Sequence, residues 1–128
     1  MSRRYLLDTN ILIYYFNGDS VVRPIFDEIQ TGETTGCYCP ITWVELLCYS
    51  GLTDTQRNEM REFLRLLECI SLTELILDRA ALIRCTYRVA LADALIAACA
   101  LVEGCTLVTR NVEDFRQIDE LIVSNPFD

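Results

Sequence analysis

The sequence has 128 residues, a length typical of one domain, and we expect residues 1–128 to form a single domain. With 52% hydrophobic and 23% charged residues, the chain can bury a sizeable core without disulfide bonds. Its formal net charge of −8 excludes a general electrostatic attraction to nucleic acid or to an anionic membrane, so any nucleic-acid site must be local.

Short apolar strands and amphipathic helices alternate along the sequence. In chain order, the pattern predicts a strand at 5–7, a helix beginning near 11, a helix over 21–30, a strand over 36–40, a helix over 41–50, an amphipathic helix over 53–68, a strand at 69–72, helices over 74–87 and 91–103, a strand over 105–109, a short turn or helix after 111 and a final strand at 121–123. Strands separated by helices favour a parallel sheet that is covered on both faces. We therefore expect an α/β fold, a three-layer α/β/α sandwich around a central, mainly parallel sheet.

Histidine and lysine are both missing from the sequence, and all 11 basic residues are arginines. The absence of histidine excludes Ser-His-Asp and Cys-His catalysis as well as histidine zinc sites. The absence of lysine excludes Schiff-base chemistry and the phosphate-binding lysine of P-loop proteins. Carboxylates are therefore the natural place to look for acid–base or metal chemistry.

The seven cysteines indicate a reducing compartment, because their number is odd and they form no Cys-x-x-Cys pair. Cys48, Cys99 and Cys105 lie among apolar residues and are expected to pack as small hydrophobic side chains. Asp8 precedes any apolar segment long enough for a signal peptide, and no uncharged stretch approaches the ~20 residues of a membrane span. We expect a soluble, cytoplasmic protein without a membrane segment.

Two acidic residues follow predicted strands. Asp8 comes directly after the first strand, and Asp114 comes a few residues after the strand at 105–109. Ligands of open α/β sheets collect at the carboxyl ends of the strands, so both residues can reach such a site. The alternative is that Asp8 caps the following helix and that Asn111 and Asp114 form a capping pair, with Glu113 as a neighbouring acid of no special role.

Two further acidic residues interrupt apolar helices. Glu45 lies in the apolar segment 41–49, and no arginine occurs between Pro24 and Arg57 to pair with it locally. Asp93 is the sole charge in 91–102. A buried carboxylate is costly unless it is paired or bound to a metal. The alternatives are that Glu45 turns to solvent or meets a distant arginine, and that Asp93 interacts with the helix dipole.

The four carboxylates could converge at one edge of the sheet, where their repulsion would favour proton uptake or the binding of hard cations. Oxygen ligands without histidine or cysteine select Mg²⁺ or Mn²⁺ over zinc. Such an ion activates water and neutralises charge on a phosphodiester. The residues therefore predict metal-dependent phosphodiester hydrolysis.

The chain resembles the PIN-domain ribonucleases, and within them the VapC-like toxins of prokaryotic toxin–antitoxin pairs. The similarity covers residues 5–115, and its motifs are LLDTNILI at 6–13, VEL at 44–46, Tyr87–Arg88 with LADALIAA at 91–98, and LVTRN at 107–111 with Asp114–Phe115. Single motifs are weak, but their order and spacing are specific.

The resemblance implies a Mg²⁺- or Mn²⁺-dependent endoribonuclease with metal ligands at Asp8, Glu45, Asp93 and Asp114. It also implies an auxiliary polar residue, Thr109 or Asn111. Asn111 occupies a position where some family members carry aspartate, so the identity of the fourth ligand stays open. Family members usually dimerise and are inhibited by an antitoxin with an arginine-rich tail, and a net charge of −8 suits such a basic partner.

Other functions are weighed against this one. Haloacid-dehalogenase phosphatases and response-regulator receiver domains also place an aspartate after the first strand, but both need a lysine that this chain lacks. A catalytically silent PIN scaffold that binds metal or RNA and a PIN-like DNA flap nuclease remain as alternatives. Arg110 and Arg88 are the candidates for RNA contact, against the alternative that each pairs with an acid or is solvated.

Overall fold

The computed structural model describes residues 3–128, which form five strands and seven helices. The strands are β1 (Arg3–Leu7), β2 (Thr34–Tyr38), β3 (Glu68–Cys69), β4 (Thr106–Val108) and β5 (Val123–Ser124). The helices are α1 (Thr9–Phe16), α2 (Arg23–Thr31), α3 (Pro40–Leu47), α4 (Asp54–Leu66), α5 (Glu74–Tyr87), α6 (Leu91–Glu103) and α7 (Val112–Phe115). The strands form one sheet in the order β3-β2-β1-β4-β5, and every neighbouring pair is parallel.

The sheet is covered on both faces, because successive strand residues point to opposite sides. Leu6 and Leu107 contribute to a core cluster with residues of α5, α6 and α7. Their chain neighbours Leu7 and Val108 contribute to a second cluster with residues of α1, α2, α3 and α4. The predicted three-layer α/β/α sandwich with a parallel sheet is confirmed.

The strand order places a topological switch point between β1 and β4. From β1 the chain builds the sheet outward through β2 and β3, and then it returns to place β4 on the other side of β1. In sheets of this kind the connections at the switch point diverge and leave a crevice at the carboxyl ends of the strands. Asp8 follows β1 at this point, and its backbone N–H donates to the carbonyl of Val108 at 3.0 Å.

Most predicted helices are confirmed within a few residues, whereas several strand boundaries were wrong. The second strand ends at Tyr38, because Pro40 is the first residue of α3. The third strand was placed at 69–72 but occupies only Glu68–Cys69, where it pairs with the last two residues of β2. The final strand is Val123–Ser124.

The helix predicted over 41–50 ends at Leu47, well before Gly51. Arg57 of α4 holds the end of α3 and the loop that follows it. Its guanidinium donates to the carbonyls of Leu47, Leu52 and Tyr49 at 3.4, 2.8 and 3.0 Å. A side chain from another helix therefore satisfies carbonyls at the end of α3 and in the loop that follows it.

All seven cysteines are free thiols. Cys99 and Cys105 are buried as expected, but Cys48 is exposed because it caps the end of α3, and its thiol lies 3.1 Å from the carbonyl of Glu45. Among residues 3–128, the helices are too short or too polar to cross a bilayer.

Candidate functional site

Asp8 is a buried carboxylate at the switch point, with 6% of its surface exposed. Its Oδ1 accepts a hydrogen bond from the backbone N–H of Thr9 at 2.8 Å, and its Oδ2 accepts from Thr109 Oγ1 at 2.7 Å and from Asn10 Nδ2 at 3.2 Å. Asp8 therefore caps α1 and also stands in the crevice, so the two interpretations of this residue are compatible.

Thr109 links the ends of β1 and β4. It is fully buried, and its hydroxyl accepts a hydrogen bond from the backbone N–H of Asn111 at 3.0 Å while it donates to Asp8. The hydroxyl has one proton, which it donates to the Asp8 carboxylate, and its oxygen accepts from the Asn111 N–H. The assignment of Thr109 or Asn111 as the auxiliary residue stays a prediction.

Glu45 extends from α3 toward the same crevice and is half-buried. Its Oε1 accepts from the Thr9 hydroxyl at 2.7 Å. None of the four ion pairs formed within residues 3–128 includes Asp8, Glu45, Asp93 or Asp114. The alternative that a distant arginine neutralises Glu45 is therefore wrong for the described part of the chain.

Asp93 reaches the crevice from the first turn of α6. It lines a cleft of about 450 Å³ whose wall includes Asp8, Glu45 and Asn111. Burial raises the pKa of Asp93 to about 6, and the charges of Asp8, Asp114 and Glu45 add to the shift. The chain thus brings three acids that are far apart in sequence to one cleft, and Asp114 lies near enough for its charge to act on Asp93.

The same charges act on Asp8. Burial raises the pKa of Asp8 above its usual range, and repulsion from Glu45 and Asp114 adds to this. Hydrogen bonds from Thr109 and Thr9 oppose the shift, because they stabilise the ionised form. Cation binding in this cleft would relieve the repulsion between the acids.

Asp114 lies at the edge of the site, on the exposed side of α7. It lines an adjoining cleft of about 370 Å³, and Asn111 lies between the two clefts and contributes to both. The side chain of Asn111 does not cap α7; the backbone carbonyl of Asn111 accepts from the backbone N–H of Asp114 at 3.1 Å. The capping pair proposed as an alternative is therefore absent, and both side chains are free to face a ligand.

The two candidate RNA-binding arginines differ in their surroundings. Arg88 is exposed at the end of α5, in a left-handed conformation with φ of 57°, and it is not among the residues that line the cleft. Arg110 donates to the Tyr14 hydroxyl at 2.9 Å, and its guanidinium carbon lies 4.1 Å from the centre of the Phe127 ring. Arg110 is thus held against aromatic rings, which neither of the simpler alternatives anticipated.

The donor atoms of the cleft fit a hard divalent cation. They are carboxylate, hydroxyl and amide oxygens, and Asn10 Oδ1 is buried without a hydrogen-bond partner. No three acidic or cysteine side chains of residues 3–128 form a ready-made ion cage. Mg²⁺ needs none, because it commonly keeps several waters and binds through one or two carboxylates plus substrate phosphates.

Sequence reasoning missed Thr9, Asn10 and Thr42. Thr9 and Asn10 directly follow Asp8, and the hydroxyl of Thr42 lies 3.0 Å from that of Thr9. The available signal was local: Thr42 precedes Glu45 by three positions and so shares its helix face.

Comparisons with known proteins identify the family and the fold. The family model described as PIN domain matches residues 5–121. A chain of a toxin–antitoxin complex from Klebsiella pneumoniae is 29% identical, with a TM-score of 0.80 over 97% of this chain and 98% of that chain. A chain of VapBC2 from Rickettsia felis, bound to a DNA fragment from the promoter, is 26% identical, with a TM-score of 0.83 over 95% and 98% of the two chains.

A chain of DNA-bound VapBC from Salmonella typhimurium has the same fold, with a TM-score of 0.83, 22% identity and coverage of 98% of this chain and 99% of that chain. No curated protein sequence matched the chain. The family model extends from β1 through α7 and so includes Asp8, Glu45, Asp93 and Asp114. The chain therefore belongs to the PIN-domain family.

Proposed function

We propose that this protein is a Mg²⁺- or Mn²⁺-dependent endoribonuclease and the toxin of a toxin–antitoxin pair. The observation that carries the proposal is the acidic cleft at the switch point, which Asp8, Glu45 and Asp93 line without an arginine counterion among residues 3–128. Similarity to chains of toxin–antitoxin complexes supports the biological role.

The residues of the cleft have different proposed roles in binding an ion and a phosphodiester. Asp8 is fixed by Thr109 and by the Thr9 N–H, so it can offer a carboxylate oxygen in a set position. Glu45 and Asp93 approach the cleft from α3 and α6, and Asp114 or Asn111 is the proposed fourth ligand at the edge of the cleft. A divalent cation held there would neutralise charge that develops on the phosphodiester and would make water a better nucleophile.

The test is cleavage of RNA by the purified full chain with Mn²⁺, comparing the wild type with Asp93→Asn. We expect Asp93→Asn to lose at least about 100-fold in rate, because neutralising a carboxylate weakens cation binding and charge stabilisation together. Glu113→Gln is the matched control, since Glu113 is an exposed acid paired with Arg116 and should leave the rate unchanged. Equal rates for wild type and Asp93→Asn would contradict the proposed site.

The substrate and the alternatives are tested in the same assay. RNA and DNA of equal length and sequence separate a ribonuclease from a flap nuclease, and a wild type that binds Mn²⁺ by calorimetry without cleaving either would favour the silent scaffold. Arg110 and Arg88 are proposed RNA contacts. Substituting either with Ala should weaken RNA binding and reduce its dependence on salt.

The proposed partners follow from charge and similarity. We propose a small basic antitoxin whose arginine-rich tail enters the acidic cleft, and a homodimer as the active state in the cytoplasm. The net charge of −8 favours a basic partner. Co-purification with the product of an adjacent small gene, and the mass of the free protein in light scattering, test the two assignments. A monomer that no basic partner inhibits would contradict both.

A further inference from the structure

One residue, Thr9, contacts two of the carboxylates that line the cleft, those of Asp8 and Glu45. Its backbone N–H donates to Asp8 Oδ1 at 2.8 Å, and its hydroxyl lies 2.7 Å from Glu45 Oε1. Asp8 follows β1 and Glu45 belongs to α3, so Thr9 links two separate elements through one backbone and one side-chain hydrogen bond. Within residues 3–128, Thr9 supplies the hydrogen bond that the Glu45 carboxylate accepts.

A second threonine, Thr42, contacts the hydroxyl of Thr9. Thr42 is fully buried in the first turn of α3, and its Oγ1 lies 3.0 Å from Thr9 Oγ1. An ionised Glu45 can only accept, so Thr9 has to donate its single hydroxyl proton to Glu45. Thr9 must then accept from Thr42, and every proton of this chain of hydroxyls has one direction, from Thr42 to Thr9 to Glu45.

We propose that Thr9, with Thr42 behind it, is a positioning residue that holds Glu45 Oε1 and thereby presents the carboxylate to a divalent cation in the cleft. The inference rests on the proposed function, because it assigns how one acid of the proposed ion site is oriented. Groups that hydrogen-bond to the ligands of an ion fix the orientation of those ligands, and their loss typically costs about 10–100-fold in metal affinity. Packing explains such a pair less well, since an apolar side chain would fill the same volume without a buried hydroxyl.

The experiment is calorimetric titration of the full chain with Mn²⁺, with no RNA present. Thr9→Val keeps the shape and the backbone N–H to Asp8 but removes the hydroxyl, and we expect affinity to fall by about 10-fold or more. Thr9→Ser restores the hydroxyl and should bind within about 3-fold of the wild type. Thr42→Val should weaken binding in the same direction by a smaller factor, because Thr9 can still donate to Glu45.

Thr34→Val is the matched control. Thr34 is a buried threonine of β2 whose hydroxyl has no partner, and it lies at the strand end opposite the cleft. We expect its Mn²⁺ affinity to equal that of the wild type. Circular dichroism checks that each variant is folded, and if Thr9→Val does not fold, Thr42→Val takes its place, since Thr42 does not touch a carboxylate.

The outcomes separate the two proposals. Wild-type affinity in folded Thr9→Val, or in Thr42→Val where that variant takes its place, overturns the positioning role and leaves the ion site standing. Weakening in Thr9→Val that Thr9→Ser does not reverse also overturns it, because the hydroxyl is then not the cause. A wild type that does not bind Mn²⁺ overturns the proposed metal-dependent function, and the positioning role with it.

Discussion

Replacing Thr109 with valine tests how much the hydrogen bond from Thr109 to the Asp8 carboxylate stabilises the fold. Thr109 is fully buried, donates to Asp8 at 2.7 Å and accepts from the backbone N–H of Asn111. Valine has nearly the same shape, so the substitution removes the hydrogen bonds while it preserves packing. Asn111 is exposed, so water can replace the hydroxyl as the acceptor for its N–H. The lost hydrogen-bond energy therefore comes mainly from the Asp8 carboxylate.

The expected cost follows from the charge of the acceptor. A hydrogen bond to an ionised group is worth about 1.5–3 kcal/mol, and Asp8 is too buried for water to replace the donor fully. We therefore expect Thr109→Val to lower the free energy of unfolding by about 2 kcal/mol at pH 7.5. Because the lost bond stabilises the ionised form of Asp8, the pKa of Asp8 should rise further and the loss should shrink as the pH falls and Asp8 takes up its proton.

Urea unfolding followed by circular dichroism, at pH 7.5 and at lower pH steps, measures both effects. Thr109→Ser should recover most of the stability, and Thr34→Val should be neutral or slightly stabilising, because it removes a buried hydroxyl that has no partner. Wild-type stability for Thr109→Val at pH 7.5, or the same loss at every pH, would refute the reasoning.

Two further predictions concern stability. Arg57→Gln should lower the free energy of unfolding by about 2 kcal/mol in urea, since it removes donors from the carbonyls of Leu47, Tyr49 and Leu52; a change below about 0.5 kcal/mol would contradict that role. In metal-free protein, burial raises the pKa of Asp93 to about 6. The folded chain therefore keeps a proton on Asp93 that the unfolded chain releases from about pH 4 upward. The free energy of unfolding consequently falls as the pH rises from about 4 through 6. Asp93→Asn should therefore raise the midpoint of thermal unfolding at pH 7.5 and raise it less at pH 5. A lower midpoint at pH 7.5 would show that the ionised Asp93 carboxylate does not destabilise the folded chain.

The sequence was sufficient for features that depend on local chemistry. Two helix ends are set by local residues: Thr53 and Gln56 form a capping box at the start of α4, and Gly32 ends α2 in a left-handed conformation. Glu45 and Asp93 stood out because they interrupt apolar helices, and both line the cleft. Their assignment as ion ligands stays a prediction.

Other features depend on partners that are distant in the chain. The hydroxyl pair of Thr9 and Thr42 joins positions 33 residues apart, and threonine at either position reads equally well as a cap or a core residue. Arg110 packs on Phe127, which no periodic pattern connects to it. The short third strand was misplaced because its extent is set by the two residues of β2 that pair with it, and its own sequence does not fix it.

The distance along the chain between Asp8 and its donor Thr109 is 101 positions. The contact between Asp8 and Thr109 consequently forms only once the first and fourth strands lie side by side, which requires almost the whole polypeptide to have been synthesised. A shorter chain would leave the Asp8 carboxylate without this donor, so the crevice is complete only when the sheet is complete.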